Sequence, residues 1–439
     1  MRPETAARRG RLCASYRPAV LSRRQVLALG AGALGAPGAL VSGRAQAAGT
    51  PQRCFLFLHC DGGWDTSFVF TPELLGKVDH EADAQAGNIG GVDFIDHPDR
   101  VTVRDFLGQH GGQTAIINGM EVRSITHERC RRIVLTGQGE GAVDDWPSIL
   151  AASSPEPLLL PHLVLAGHAF NADYADQVVR VGDDGQLAKL LDGSAFAERD
   201  QGMVVPPAPK VEQALLKARL ESLQANAGSA AEADYYARYA GALSAADTLR
   251  GVEGLSLVPQ NTACERDMLA DAATLFECFS RGLSRCGMLK YEGWCGEGWD
   301  SHENVSNQSR HFSDLFAYLS GILADLETRV AVDGSPLKDH VTVVLFSEMG
   351  RTPSMNALGG KDHWTFTSAM LVGAGVQGGQ TVGALSDQSR GVPIDLETGL
   401  AMEGGVSLTA SNLGATLLAM GDVDPGGYTD AQPLQAVMQ

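Results

Sequence analysis

The chain has 439 residues, enough for one large domain or two ordinary ones. Its 44% hydrophobic and 20% charged content describes a soluble globular protein with a sizeable core. A formal net charge of −18 argues against nucleic acid or an anionic membrane surface as a partner.

Residues 2–44 hold eight Arg, no Lys and a single acid, Glu4. Within them Arg23-Arg24 leads into a Gly/Ala/Leu run that closes on Ala45-Gln46-Ala47. A charged start, a modest apolar run and an A-x-A site predict a twin-arginine (Tat) export signal over 1–47. The expected location is therefore periplasmic or exported. The run from Val26 to Val41 is too short and too rich in Gly and Pro to span a bilayer, so no stable membrane span is expected after cleavage. Beyond residue 47 there are 26 basic against 51 acidic side chains, a balance of −25. An anionic substrate would have to be held locally, by a bound cation or a few Arg.

Cys54–His59 is an apolar run of buried-strand type, entering Cys60-Asp61-Gly62-Gly63-Trp64-Asp65. A second strand, Thr114–Asn118, precedes Thr126-His127 and then Arg131 to Gly137. A third lies near Leu163. Residues 208–249 change to helical spacing, with Val211, Leu215, Leu216, Leu220 and Leu223 in register, which predicts a helical insertion at about 195–290. Asp300-Ser301-His302 follows a Gly-rich loop, and a helix from about Ser306 to Val330 carries Phe312, Leu315, Leu319, Leu323 and Leu326 on one face. Val341–Phe346 is a β-branched strand that turns abruptly polar at Ser347, Glu348 and Arg351, then reaches Asp362-His363. A strand at Ala369–Val372 and a helix around Leu408–Met420 complete the chain. Alternating strands and helices predict an α/β fold over 48–439, with a mostly parallel central sheet flanked by helices. Cys264, Cys278, Cys286 and Cys295 cluster without any tight metal-knuckle spacing, so one or two disulfides of unassigned pairing are expected.

Ligands of open α/β sheets gather beyond the carboxyl ends of the strands. Asp61, Asp65, Asp300, His302, Glu348, Asp362 and His363 stand at such ends or in adjoining loops, and their mixed carboxylate and imidazole groups suit one or two divalent metal ions. The residue types do not separate Zn, Mn, Mg and Ca. Arg351 and Lys361 would neutralise the oxygens of a transferring group, and Thr126 or metal-activated water would attack. Taken alone, Asp65 also fits a helix cap, and His59, inside an apolar strand, reads as a core histidine. His80, His97, His110, His162, His168, His311 and His340 carry no functional reading.

Phe346-Ser-Glu-Met-Gly-Arg-Thr-Pro353 with Gly359-Gly-Lys-Asp-His-Trp364 resembles the S-E-F-G-R-T-P … G-x-D-H signature of an exported bacterial family, domain of unknown function 1501 (DUF1501). Asp300-Ser-His302 resembles its D-T-H, Gly62-Gly-Trp-Asp65 its G-G-x-D, and Ser124 to Gly137 its R-S-H-F … T-G segment. The family is similar to the alkaline phosphatase and sulfatase superfamily, which implies a metal-dependent α/β fold and an anionic small-molecule or glycan substrate. On that resemblance Asp61 matches the first metal-binding Asp of alkaline phosphatases, and Ser347-Glu348-Met349-Gly350 the S-D-H/N-G of sulfatases. The superfamily's nucleophile lies nine residues before a Thr-Gly; here that position is His127, with Arg131 at the Arg of the sulfatase C-x-P-S-R motif. Two readings follow: a hydrolase of phosphate or sulfate esters, or a non-catalytic, metal-retaining scaffold with a protein partner in a cell-surface or polysaccharide system.

Overall fold

The computed structural model describes residues 52–180, 210–250, 252 and 267–439. The predicted export signal, Cys264 and parts of the predicted insertion lie outside the described residues. One eight-stranded sheet organises the rest. It contains β1 (Cys54–Cys60), β4 (Thr114–Glu121), β5 (His162–Val164), β6 (Val178–Arg180), β7 (Cys286–Tyr291), β8 (Val341–Phe346), β11 (Phe366–Gly373) and β12 (Gln380–Val382). Their order is β12-β4-β11-β8-β1-β7-β5-β6. The sheet is parallel except at β11, which runs antiparallel to both β4 and β8. Two short hairpins stand apart from it, β2 (Gln85–Ile89) with β3 (Val92–Asp96), and β9 (Gly350–Arg351) with β10 (His363–Trp364). No helix separates β8 from β11, so the chain returns beside the strand it has just left.

Strand β1 shows why both faces are covered. Its alternate residues Leu56 and Leu58 enter one apolar cluster while Phe55 and Phe57 enter the other. On the first face lie α1 (Val101–His110), α6 (Met268–Ser280) and α7 (Asn307–Glu327), through Phe106, Phe276 and Phe312. On the second lie α2 (His127–Thr136), α3 (Trp146–Ala152) and α8 (Ala410–Met420), through Ile133, Ile149 and Leu417. The helices α4 (Lys210–Ala225) and α5 (Ala230–Arg250) occupy the stretch with helical spacing. Central strand β7 and core helix α6 also fall between 195 and 291, so that region supplies part of the sheet and its cover. Cys278 and Cys286 are free, buried thiols, whereas Cys295 is disulfide-bonded. Among the described residues, no helix is long and apolar enough to cross a membrane.

Candidate metal centre

The parallel strands deliver polar residues to one edge of the sheet. Beyond β1 stands Asp61, beyond β8 Glu348, beyond β5 His168, and near the end of β7 Lys290. His127 opens α2, which places its imidazole at the same edge. Gly62 makes the approach of these loops possible. Its φ is +128°, and a Cβ there would lie 2.8 Å from the Asp300 amide nitrogen and 3.0 Å from that of Trp299.

Three histidines converge. His127 donates Nδ1–H to Glu348 Oε1 at 2.8 Å, His302 to Asp362 Oδ1 at 2.9 Å, and His363 to the Ile125 carbonyl at 2.7 Å. These oxygens can only accept, so each ring carries a proton on Nδ1 and turns Nε2 inward. The three Nε2 atoms meet at Asp300. His127 lies 3.3 Å from Oδ2, while His302 and His363 lie 3.2 and 3.1 Å from Oδ1. His302 and His363 face each other Nε2 to Nε2 at 3.0 Å. Three lone pairs around one carboxylate repel unless positive charge sits among them, either as protons or as a cation. Hydrogen bonds to Asp300 and then Glu348 accordingly raise His127 to about 9. Burial alone would raise the Asp300 carboxyl, but hydrogen bonds from His127, His363 and Arg351 outweigh it and hold that group well below the usual range.

The separations fit a metal. Zinc–nitrogen bonds of about 2.0–2.1 Å place two ligands of a tetrahedron about 3.3 Å apart, close to the 3.3 and 3.1 Å that separate His127 and His363 from Asp300, and the potential ligand atoms of these three residues all lie within 4.8 Å of one another. The outer acceptor on each Nδ1 is the arrangement that orients histidines bound to metals.

A second group, His59, Asp61 and His168, also brings its potential ligand atoms within 4.8 Å of one another. Its donors are largely engaged already. Arg131 Nε and Nη2 both lie 2.7 Å from Asp61 Oδ1, and His59 Nε2 lies 3.1 Å from Glu348 Oε2. Lys290 Nζ stands 3.9 Å from Asp61 Oδ2, as does His168 Nε2, which has no hydrogen-bond partner. Here positive side chains surround the carboxylate, a setting suited to an anion more than to a second cation.

The remaining expected site residues have other surroundings. Glu348 and Asp362 sit behind histidines rather than facing the centre. Asp65 accepts from Ser67 N at 3.0 Å, as a helix cap, and its Oδ2 pairs with Lys361 Nζ at 2.7 Å, both residues being buried. Arg351 has a fully buried guanidinium that donates to the carbonyls of Gly62, Gly63, Trp299 and Lys361 and to Asp300 Oδ1. Thr126 is the exposed N-cap residue of α2. The sequence reading passed over His59, His168 and Lys290. Position beyond or near the carboxyl end of a parallel strand is the one signal the three share.

The model of the family described as "Protein of unknown function (DUF1501)" matches residues 55–398. No curated protein matches the chain closely enough to count as a relative. Among solved structures, a sulfatase from a Pseudoalteromonas species is 10% identical, with a TM-score of 0.41 over 88% of this chain and 71% of that one. A protein solved with its substrate D-glucosamine-2-N,6-O-disulfate is 10% identical, with a TM-score of 0.35 over 88% and 79%. A Pyrococcus horikoshii protein is 10% identical, with a TM-score of 0.32 over 85% and 98%. Overlap at this level carries no functional information.

Proposed function

The chain belongs to the DUF1501 family, and from the three imidazoles meeting at Asp300 we propose that it is a Tat-exported, metal-dependent hydrolase of sulfate or phosphate esters. The observation that carries the proposal is the convergence of three Nε2 atoms whose Nδ1 partners are all fixed acceptors. His127, Asp300 and His363 would hold a single divalent ion, with His302 packed beside His363 and Asp300. When bound, such an ion acts as a Lewis acid on the ester oxygens and lowers the pKa of water.

The side chains divide the rest of the work. Arg131 and Lys290, about a fifth and a quarter exposed, offer positive charge to an anionic ester, and Asp61 fixes the direction of Arg131. His127 has both ring nitrogens engaged, so it orients and binds but does not attack. Water is then the nucleophile, and the ester is cleaved without a covalent enzyme intermediate. His168, with Nε2 unpartnered beside Asp61 Oδ2, is placed to give or take a proton.

Elemental analysis of protein purified without chelator, combined with a panel of aryl and glycan sulfates and phosphates, tests this reading. About one metal per chain is expected, with turnover, and His363→Ala should lose both. Fully folded protein that takes up no divalent metal would overturn the proposal. Tight metal binding with no ester hydrolysis would leave the scaffold reading.

A further inference from the structure

Resting on the metal reading above, the geometry points to Glu348 as a positioning residue that sets which nitrogen His127 presents, and not as a ligand of the metal. Three observations support it. Glu348 is fully buried, and its two oxygens face away from the centre into a closed set of donors. Oε1 accepts from His127 Nδ1 at 2.8 Å and Gly62 N at 2.9 Å. Oε2 accepts from His59 Nε2 at 3.1 Å and shares the same Gly62 amide at 3.2 Å, while Ser347 Oγ, 3.2 Å away, donates to the Cys60 carbonyl at 2.7 Å.

A carboxylate has about four lone-pair sites, and three buried or half-buried donors, His127, His59 and the Gly62 amide, hold both of its oxygens. To become a ligand, Glu348 would have to abandon the Gly62 amide and His127 together, stranding buried polar groups. Leaving it in place does the opposite. Its negative charge holds a ring proton on Nδ1, so that Nε2, toward Asp300, is the nitrogen that would bind an ion once its own proton is lost, and it makes His127 a stronger donor. The same carboxylate grips His59, whose Nε2 lies 4.0 Å from Asp61 Oδ1. One buried side chain thus aligns an imidazole in each of the two neighbouring groups. Asp362 orients His302 in the same manner from the exposed side, so the sequence pattern S-E-x-G … D-H supplies the outer partner of one ligand, that of the adjacent His302, and one ligand itself.

The test is cobalt binding by Glu348→Gln, read by the visible absorption of the bound ion and by competition with a chelator, well below the melting temperature. Outer partners of metal-bound histidines are worth about 10–100-fold in affinity, so a loss in that range is expected, with an altered spectrum. Wild-type affinity and spectrum in Glu348→Gln would overturn the inference while leaving the metal reading intact. Failure of the wild-type protein to bind cobalt or zinc would overturn both. If Glu348→Gln does not fold, NMR of the wild-type protein with labelled histidine and bound cadmium decides the matter. Cadmium coupled to His127 Nε2, with Nδ1 protonated, sustains the inference; coupling to Nδ1 refutes it.

Discussion

Removing Lys361 should unfold the protein more readily than it should impair any interaction with substrate. Lys361 and Asp65 are each 1% exposed, with Nζ and Oδ2 2.7 Å apart, and Nζ also donates to Ser67 Oγ at 3.1 Å. Lys361→Met would leave a buried carboxylate without its counter-charge, a loss of about 3–5 kcal/mol. Adding Asp65→Asn removes that charge while the amide oxygen keeps the Ser67 cap. A buried pair exchanged for uncharged groups of similar size is often neutral, so the double variant should recover most of the loss and fall within about 1 kcal/mol of wild type. Urea unfolding of the metal-free wild type, both single variants and the double variant gives the coupling directly. A double variant as unstable as the sum of the singles refutes the reasoning. So does a Lys361→Met protein of wild-type stability with a raised KM, the result expected had Lys361 met the substrate.

Two further perturbations test other parts of the fold. Burial lowers His162 from its usual value to about 3. The unfolded chain therefore binds a proton that the folded one refuses between pH 6.5 and about 3, and stability falls with pH across that window. The stability of wild type minus that of His162→Gln should decline by about 1.4 kcal/mol per pH unit below 6.5; a difference independent of pH from 7 to 4.5 would contradict the burial argument. Gly62→Ala combines a φ of +128° with a Cβ 2.8 Å from the Asp300 amide, and should cost about 2–5 kcal/mol. It should also weaken metal uptake by moving Asp300, as calorimetric titration would show; unchanged metal affinity would mean that this loop contact does not place the ligand.

The strands that build the sheet were legible where apolar runs are long: β1, β4 and β8 stand out by composition alone. Strand β7 was not, because Cys286-Gly-Met-Leu-Lys-Tyr291 mixes a glycine and a lysine into the run and lies among cysteines that suggest another role. Gly287 is there because a Cβ would meet Leu275 Cδ1 at 2.5 Å, a constraint visible only after packing. The types of the site residues were readable, but which of them face the candidate centre and which stand behind was not. Which nitrogen a histidine turns inward depends on what holds the other, and the acceptor for His127 lies 221 residues away at Glu348. His59 shows the same limit from the other side. It is a fully buried strand residue, as its apolar neighbours suggest, and yet its ring stacks on Phe346 and contacts Glu348.

Arg351 explains how the candidate centre is held together by the chain itself. Its guanidinium joins Gly62 and Gly63 after β1, Trp299 and Asp300 after β7, and Lys361 after β8. A buried guanidinium is costly unless its donors are satisfied, and here five acceptors on three loops meet that need at once. Displacing any one of those loops would break several charge-assisted bonds together, so Asp300 is held with Oδ1 toward Arg351, His302 and His363 and Oδ2 toward His127. Oriented this way, the carboxylate faces three imidazoles across gaps of 3.1–3.3 Å, and binding of the proposed ion would require loss of protons from the histidines more than movement of the chain. Arg351 is therefore best understood as the tie that preorganises the site, while Arg131 and Lys290 stand beside Asp61 in the neighbouring group.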